Sequence, residues 1–474
     1  MRMTNATMYA RVLAGDPADN GRFFFGVTTT GIYCLPACKA RKPKPGNVRF
    51  FPSCEAARAA GLRPCRKCHP DDFARGADPV LESIEALVQE IRDRPDAFPD
   101  VTAIVRRSGF GSTRLFELFR LHYHTTPSDL LLRARLERVR QALAHGDESL
   151  AKLAGDAGFE SLSVLHTHFR RFQGVTPAAY RAMRTGRTFE LELPDDYPLP
   201  YLRRALGRDV ASLTERLVGN VYTAAVHSDA GPALLRLQMD GCRLSGEISA
   251  GSGLEAHALV VGLTGLDQDA VSFVRLAHRL GLKRLVQGRP GLRIAQTHSV
   301  FDGLVWSIIG QQINFAFACS LKRRLTELVG QTVGDGLYAP PTPMAVAALQ
   351  PADLQPLQFS RQKADYLITA ARLVVDRTLD LAALRAMSAT RAERTLLAIR
   401  GLGPWSVNYV MMRALGFPDC VPLGDTGVTS GLQALLKLDE RPDVDATRRL
   451  MAIFAPHRSL ATAHLWQFNR PKPA

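Results

Sequence analysis

The run Arg400-Gly401-Leu402-Gly403-Pro404-Trp405 constrains this chain more than any other stretch. Before it, Ala392 to Ile399 predicts a helix with apolar Leu396, Leu397 and Ile399. Gly-Leu-Gly then breaks that helix, because glycine accepts positive φ and lets another backbone come close. Ser406 to Leu415 predicts a second helix. A glycine hairpin between two helices offers backbone N–H groups at a helix start, which suits a phosphate. Asp425 follows in Leu423-Gly424-Asp425-Thr426-Gly427, a turn that opens another helix, where the dipole favours negative charge. Taken singly, Gly-x-Gly between helices is a turn and an Asp before a helix is an N-cap. The hairpin with Trp405, Tyr409 and a correctly spaced Asp425 is far more specific.

That constellation resembles the helix-hairpin-helix DNA glycosylases, and among them the 3-methyladenine glycosylase II family. The resemblance implies that Gly401 and Gly403 grip the DNA backbone and that Asp425 drives removal of a base. The run SVFDGLVWSIIGQQINFAFACSLKRRL is similar to the family's opening segment, and Phe359 to Ala364 is a second such stretch. Gln311 and Gln312 either contact DNA there or satisfy the turn itself. A purine alkylated at a ring nitrogen is cationic and must be flipped out of the duplex to be reached. Trp405 and Tyr409, one turn apart, are the expected stacking platform for it. Trp306 and Phe315 are weaker candidates for that platform, with core packing the favoured reading for them. Asp425 would stabilise the oxocarbenium character of the sugar and direct a water. Trp405 stands where related lyases carry a Schiff-base lysine, so a monofunctional hydrolase leaving an abasic site is expected. The family's Asp-Asp-Tyr is Gly424-Asp425-Thr426 here, and His457 replaces a tryptophan, which implies two smaller pocket walls.

The N-terminal segment carries a different chemistry. Cys34 and Cys38 have three residues between them, Cys65 and Cys68 have two, and such paired spacing suits a closed tetrahedral zinc site. The other cysteines, Cys54, Cys242, Cys319 and Cys420, are scattered. Residues 1–76 are too few for a good core alone, so a metal staple is expected. Between Gly31 and Pro70 stand nine Lys/Arg and one acid, Glu55. The stretch FFFGVTTTGIYCLPACKARKPKPGNVRFF followed by GLRPCRKCHPDD resembles the N-terminal domain of the Ada adaptive-response proteins. The resemblance implies that Cys34 takes a methyl group from a methylphosphotriester while Cys34, Cys38, Cys65 and Cys68 hold zinc. It places DNA contacts at Thr30, Lys39, Arg41 and Arg63, with Lys39 where an arginine is usual, which removes a bidentate phosphate contact. A zinc-bound cysteine is a thiolate. Methylating one thiolate of four on Zn²⁺ reduces the cluster's negative charge and its repulsion of DNA. A purely structural zinc knot is the plainer alternative.

Residues 77–184 contain two short helix, glycine turn, amphipathic helix units: Val101 to Phe110 with Ser112 to Leu121, and Ser149 to Phe159 with Ser161 to Phe172. A helix Pro127 to His145 joins them. This is the helix-turn-helix pattern, and Phe169 to Arg181 resembles the close of an AraC-type DNA-binding domain. Arg114, His166, His168 and Arg170 are candidate readers of bases or phosphates. Residues 185–297 alternate in Thr188 to Leu193, Leu234 to Met239 and Arg243 to Ile248, which predicts strands of an α+β support domain. Residues 298–474 are the all-α glycosylase domain.

Fold class is therefore multidomain, mostly α with α+β parts: a small zinc domain, a double helix-turn-helix domain of three to seven helices, an α+β support domain and a helix-hairpin-helix domain. Lys+Arg outnumber Asp+Glu by 60 to 45, a net charge of +15, which favours a polyanionic partner. No apolar run reaches membrane-spanning length and the N-terminus lacks a signal core. The expected protein is cytoplasmic and nucleoid-associated, a monomer binding one Zn²⁺, double-stranded DNA at alkylated sites and promoters, and RNA polymerase. Its expected work is excision of 3-methyladenine and related bases, combined with methylphosphotriester sensing and activation of the adaptive response. The rival is a transcriptional regulator whose glycosylase part is a non-catalytic DNA-binding platform. Both predict salt-sensitive DNA binding.

Overall fold

Strand alternation sets the architecture of the N-terminal part. The computed structural model describes residues 3–16, 19–76 and 78–470, and the chain forms two compact units that divide between Gln89 and Glu90. In the first unit, Phe24–Val27 pairs antiparallel with Ile32–Cys34 and with Val48–Phe51, and Ile32–Cys34 pairs parallel with Arg63–Pro64. Successive side chains of a strand point to opposite faces. Phe23 and Phe25 therefore join Val12 and the cysteines in one small core, while Phe24 joins Tyr33, Leu35 and Phe51 in another. The helix Cys54–Ala59 begins at Ser53, whose hydroxyl accepts the Ala56 N–H at 3.2 Å.

The second unit opens with the helix-turn-helix pairs. Val101–Ser108 is capped by Asp100 and ended by Gly109 at φ 69°, and Ser112–Tyr123 follows. Leu150–Asp156 and Leu162–Gln173 repeat the plan, with Ser149 and Ser161 as N-caps. The joining helix runs Pro127–His145, as expected.

Five antiparallel strands follow. Their spatial order is Thr188–Glu192, Arg243–Ile248, Gly231–Asp240, Val221–Ser228, Glu215–Val218. Two of these strands, Glu215–Val218 and Val221–Ser228, are additions to the sequence reading, as is the helix Gly253–Thr264. The sheet does not build its core alone. Leu165, Phe169, Tyr180 and Met183 of the second helix-turn-helix unit bury with Phe189, Leu191, Leu237 and Val260 in one apolar cluster.

The remaining helices form a second large core around Leu304, Ile308, Leu367, Val410 and Leu432. Helix Ser112–Tyr123 reaches this layer: His122 Nδ1 lies 2.9 Å from Thr390 Oγ1, on the helix that precedes the glycine hairpin. The His124 ring packs edge-on to Phe417 at 5.7 Å. No helix of the described residues is long and apolar enough to cross a membrane.

Candidate active site and metal centre

Parallel pairing of Ile32 with Arg63 and Tyr33 with Pro64 brings the next residues, Cys34 and Cys65, side by side. A turn closed by the Cys38 N–H to Leu35 carbonyl bond, 3.0 Å, folds Cys38 back. The Leu35 N–H donates to Cys68 Sγ and the Lys67 N–H to Cys65 Sγ, each at 3.4 Å. The four sulfurs all lie within 4.8 Å of one another. Cys34, Cys38 and Cys65 are buried, and Cys68 is half-buried.

Protons alone serve this cluster poorly. Thiol hydrogen bonds from Cys34 and Cys68 hold Cys38 down at about 2, while the bond to Cys38 pushes Cys34 far up. Zn–S bonds of ~2.3 Å would set the sulfurs of a tetrahedron roughly 3.8 Å apart, within the observed limit. The residues fit one zinc ion. Cys54 stands apart: its buried thiol donates to the Pro70 carbonyl at 3.4 Å, and burial pushes it up to about 12.

Thr30, Lys39, Arg41 and Arg63 are all exposed, and the Arg63 N–H donates to the Gly31 carbonyl, which places Arg63 beside Thr30. Lys42, absent from the expected set, donates to the Cys38 carbonyl at 2.9 Å. Cys34 is 4 % exposed.

The hairpin connects Ala389–Leu397 to Pro404–Arg413. Gly401 has φ 96°, and a Cβ there would lie 2.2 Å from the Tyr366 ring, so both conformation and space require glycine. Gly403 caps the second helix, with Pro404 at its first position. Leu402 is buried between the two glycines, and Gly403 faces solvent. Gln311 Nε2 donates to the Gly401 carbonyl at 2.8 Å and to Ser406 Oγ at 2.9 Å. It therefore satisfies the hairpin, while Gln312 is exposed at φ 55°.

Asn408 ties this helix to the loop that presents the carboxylate: its Nδ2 donates to the Pro404 carbonyl at 3.1 Å and its Oδ1 accepts the Val421 N–H at 3.1 Å. Asp425 then caps Thr426–Leu436, its Oδ1 accepting the Val428 N–H at 3.0 Å. The same oxygen accepts Trp466 Nε1 at 2.8 Å, and Oδ2 accepts Trp405 Nε1 at 3.2 Å. Both indoles are neutral donors, so they fix the carboxylate without cancelling its charge. Asp425 remains half-buried rather than sealed.

Trp405 and Tyr409 stack on each other with centroids 5.4 Å apart and planes at 22°, and Tyr409 approaches Trp466 at 6.4 Å. Trp466 was missed in the sequence. A signal was available: the chain has only three tryptophans, and Trp306, Trp405 and Trp466 all fall in the last part. Gly427 was missed too. A Cβ there would meet Trp466 Cδ1 at 2.7 Å, so its absence lets the indole reach Asp425.

Beside Tyr409 opens a cleft of about 720 Å³, its mouth included, lined by Arg208, Glu215, His298, Trp306, Phe315 and Lys322. Phe315 corrects the core reading. It is 40 % exposed at the start of its helix, with the Arg208 guanidinium 4.4 Å over its ring. His457 packs edge-on to Phe273 at 6.4 Å.

Among the helix-turn-helix candidates, Arg114 is exposed and pairs with Glu117 at 3.1 Å. His166 and His168 are half-buried, and burial lowers the pKa of His168. Arg170 pairs with Glu192 of the sheet.

Three family profiles match separate stretches: the metal binding domain of Ada over residues 7–71, a helix-turn-helix domain over 101–183, and the HhH-GPD superfamily of base excision DNA repair proteins over 305–456. A Bacillus subtilis DNA-3-methyladenine glycosylase is 34 % identical over 206 residues, 43 % of this chain and 68 % of that protein. A Mycobacterium tuberculosis H37Rv protein described as a probable bifunctional transcriptional activator/DNA repair enzyme AlkA is 27 % identical across 97 % of this chain and 95 % of its own length. A solved 3-methyladenine DNA-glycosylase from Archaeoglobus fulgidus has the same fold, with a TM-score of 0.52 at 22 % identity over 60 % of this chain and 98 % of that one. Along one sequence stand a four-cysteine centre, paired helix-turn-helix units and a hairpin that presents an indole-held aspartate: the chain belongs to the DNA-3-methyladenine glycosylases of the helix-hairpin-helix superfamily, in the branch that joins them to Ada-type metal-binding and helix-turn-helix domains.

Proposed function

We propose that the protein hydrolyses the N-glycosidic bond of 3-methyladenine and related alkylated bases in duplex DNA, and that its front half senses methylphosphotriesters and activates transcription of the adaptive response. The observation that carries the first part is Asp425, held between two neutral indole N–H donors at the start of a helix. The working division remains 1–76, 77–184, 185–297 and 298–474.

In this reading Gly401 and Gly403 hold the phosphate backbone at the helix start. The lesion is extruded. As the C1′–N bond lengthens, its electron pair leaves with the base and positive charge grows on the sugar. Asp425 stabilises that charge, and water adds at C1′. Trp405 offers no amine, so no Schiff base forms and the strand stays intact.

At the front, zinc would keep the four sulfurs ionised at neutral pH. Cys34 Sγ attacks the methyl carbon of the phosphotriester. An S–C bond forms as the C–O bond breaks, and the phosphodiester leaves with its negative charge. The resulting thioether removes one negative charge from the cluster and strengthens DNA binding. Thr30, Lys39, Arg41 and Arg63 hold the surrounding phosphates. The activated protein works as a monomer in the nucleoid and contacts RNA polymerase at promoters read by the paired helix-turn-helix units.

One experiment tests both halves. Purified protein is mixed with duplex DNA carrying radiolabelled methyl lesions, phosphotriesters included. Label released as free purine, and lost in Asp425→Asn, supports the glycosylase. Its absence with folded protein favours a regulator with a non-catalytic platform. Label bound to protein and lost in Cys34→Ala supports methyl transfer; label never bound there leaves a zinc-stapled DNA tether.

A further inference from the structure

The segment 414–424 delivers Asp425, running from the end of the hairpin's second helix to the turn at Gly424. It is tied along its length. Phe417, Asp419, Cys420, Val421 and Pro422 are buried. The Phe417 N–H donates to the Met411 carbonyl at 2.9 Å. Ser459 Oγ donates to the Phe417 carbonyl at 2.8 Å and accepts the Cys420 N–H at 2.9 Å. Asp419 takes Arg458 as a fork, with Nε 2.7 Å from one oxygen and a terminal nitrogen 2.8 Å from the other. The Asp425 N–H closes the run on the Pro422 carbonyl at 3.0 Å. Arg458 opens the helix that carries Trp466. One short segment thus fixes both the carboxylate and the helix that brings its indole donor.

The first helix-turn-helix unit packs on this segment. His124 ends the helix Ser112–Tyr123 in the left-handed region at φ 54°, and its ring meets Phe417 edge-on at 5.7 Å. Asp419 and Arg458 lie close enough for their charges to act on that ring. A second path runs through Arg92, which covers the Tyr123 ring at 5.7 Å and donates to the Ala386 carbonyl. The adjacent Arg385 donates to the Ala414 carbonyl at 2.9 Å, where the segment begins. These docking positions differ from those open to DNA. Ser112, Thr113, Arg114 and Arg120 are exposed, whereas Leu118, Phe119, His122 and Tyr123 are buried.

We propose that His124 is a positioning residue for base excision: its ring seats Phe417, and with it the segment that sets Asp425 between its two indoles. The first helix-turn-helix unit then completes the glycosylase site from behind. A carboxylate that acts by position is sensitive to such support, since a shift of about 1 Å can cost on the order of 100-fold in rate. This inference rests on the proposed glycosylase activity and deepens it.

The test measures single-turnover release of methylated purines from duplex DNA, and Kd for undamaged duplex, with wild type, His124→Asn and His124→Phe. Asparagine tolerates the left-handed backbone and removes the ring; phenylalanine keeps the ring. His124→Asn should slow release by roughly 2- to 10-fold, the value of an edge-on aromatic pair, with Kd unchanged. Its tryptophan emission should also shift, because two of the three tryptophans hold Asp425. His124→Phe should restore rate and emission. Phe417→Leu, which removes the facing ring, should reproduce the slowing and add little to it in the double variant; it carries the test alone if His124→Asn does not fold. Folded His124→Asn, or in its place Phe417→Leu, that works at the wild-type rate overturns the inference and leaves the glycosylase standing. So does His124→Phe as slow as His124→Asn, or a rate loss matched by lost DNA affinity. Wild type that releases no base refutes the glycosylase reading and the inference with it.

Discussion

Trp466 Nε1 donates to Asp425 Oδ1 at 2.8 Å across 41 positions of sequence. The oxygen it meets is the one that caps the following helix through Val428. The other oxygen turns toward Trp405. One carboxylate thus starts a helix and anchors two indoles.

Trp466→Phe keeps an aromatic ring and removes the donor. Losing a neutral hydrogen bond to a charged group costs about 1.5–3 kcal/mol, which is roughly 10- to 100-fold in rate if the carboxylate is misplaced only in the transition state. Base release should fall by that factor with substrate affinity nearly unchanged. Single-turnover rates and Kd for undamaged DNA separate the two. A variant as fast as wild type would show that Trp405 and the helix start position Asp425 unaided.

Gly427→Ala tests the same geometry from behind. The added methyl would lie 2.7 Å from Trp466 Cδ1 and 3.1 Å from Asp425 Oδ1, so the indole must retreat. Alanine favours the helix interior by about 1 kcal/mol over glycine. Activity should therefore fall while the melting temperature holds or rises slightly. Loss of both together would point to a general packing defect instead.

The metal centre separates cysteines by role. Wild type should carry one zinc per chain. Ser substitution at Cys34, Cys38, Cys65 or Cys68 should abolish it, and Cys54→Ser should retain it, because Cys54 bonds Pro70 and lies outside the cluster. Metal content by atomic spectroscopy decides this. Chelation should also unfold residues near the cluster, since structural zinc contributes ~10–16 kcal/mol of folding energy in small domains.

How much of this was legible in the sequence depended on the range of the interaction. Hairpin, N-cap and helix-turn-helix signals are local, so the glycine turns and the helix Pro127–His145 were readable. The strand Val221–Ser228 was not, because Ala224, Ala225 and Val226 are all buried and the period-two alternation disappears. The helix Gly253–Thr264 is apolar on nearly every side and likewise has no periodic face, although Ser252 and Glu255 form a capping box at its start. Phe315 read as core from its hydrophobicity alone. Its exposure follows from the cleft, which no local pattern encodes. The scarcity of tryptophan singles out Trp466, but its partner was not readable, because only the tertiary fold carries its helix back to Asp425.

Acid should weaken the second unit in a defined window. Burial lowers the His124 pKa to about 4; nearby Asp419 raises it, and Arg458 and His122 lower it further. Unfolded histidine titrates near 6.5, so between pH 6.5 and 4 the unfolded chain binds more protons than the folded one. Stability contributed by neutral His124 is complete above pH 6.5, declines as pH falls toward 4, and is level below that. The slope is up to ~1.4 kcal/mol per pH unit for one such group. His257, lowered to about 4 by burial, acts in the same direction. Thermal melts across this range should be shallower in His124→Phe than in wild type. An unchanged slope would remove His124 from the account.

The shared core makes the sharpest statement about how the parts depend on one another. His257 lies between the Tyr180 ring at 5.4 Å and the Phe189 ring at 5.7 Å, and its Nε2 meets the Gln173 carbonyl at 2.7 Å. Tyr180 and Gln173 belong to the second helix-turn-helix unit, and Phe189 and His257 to the sheet and its helix. Gly174 extends the join by accepting the Glu192 N–H at 2.8 Å on its carbonyl. Removing the helix-turn-helix unit uncovers apolar surface that the sheet cannot hide by itself. Phe169 and Tyr180 each cover about 1.5–3 kcal/mol of burial. A fragment of residues 185–474 should therefore melt at least several degrees below a fragment of residues 90–474, at about 2–4 °C per kcal/mol for domains of 150–250 residues, or aggregate outright. Adding back residues 90–184 in the same chain should restore both stability and base release. If residues 185–474 alone melt and release base like the longer fragment, the helix-turn-helix unit is a passenger on the glycosylase rather than part of its core.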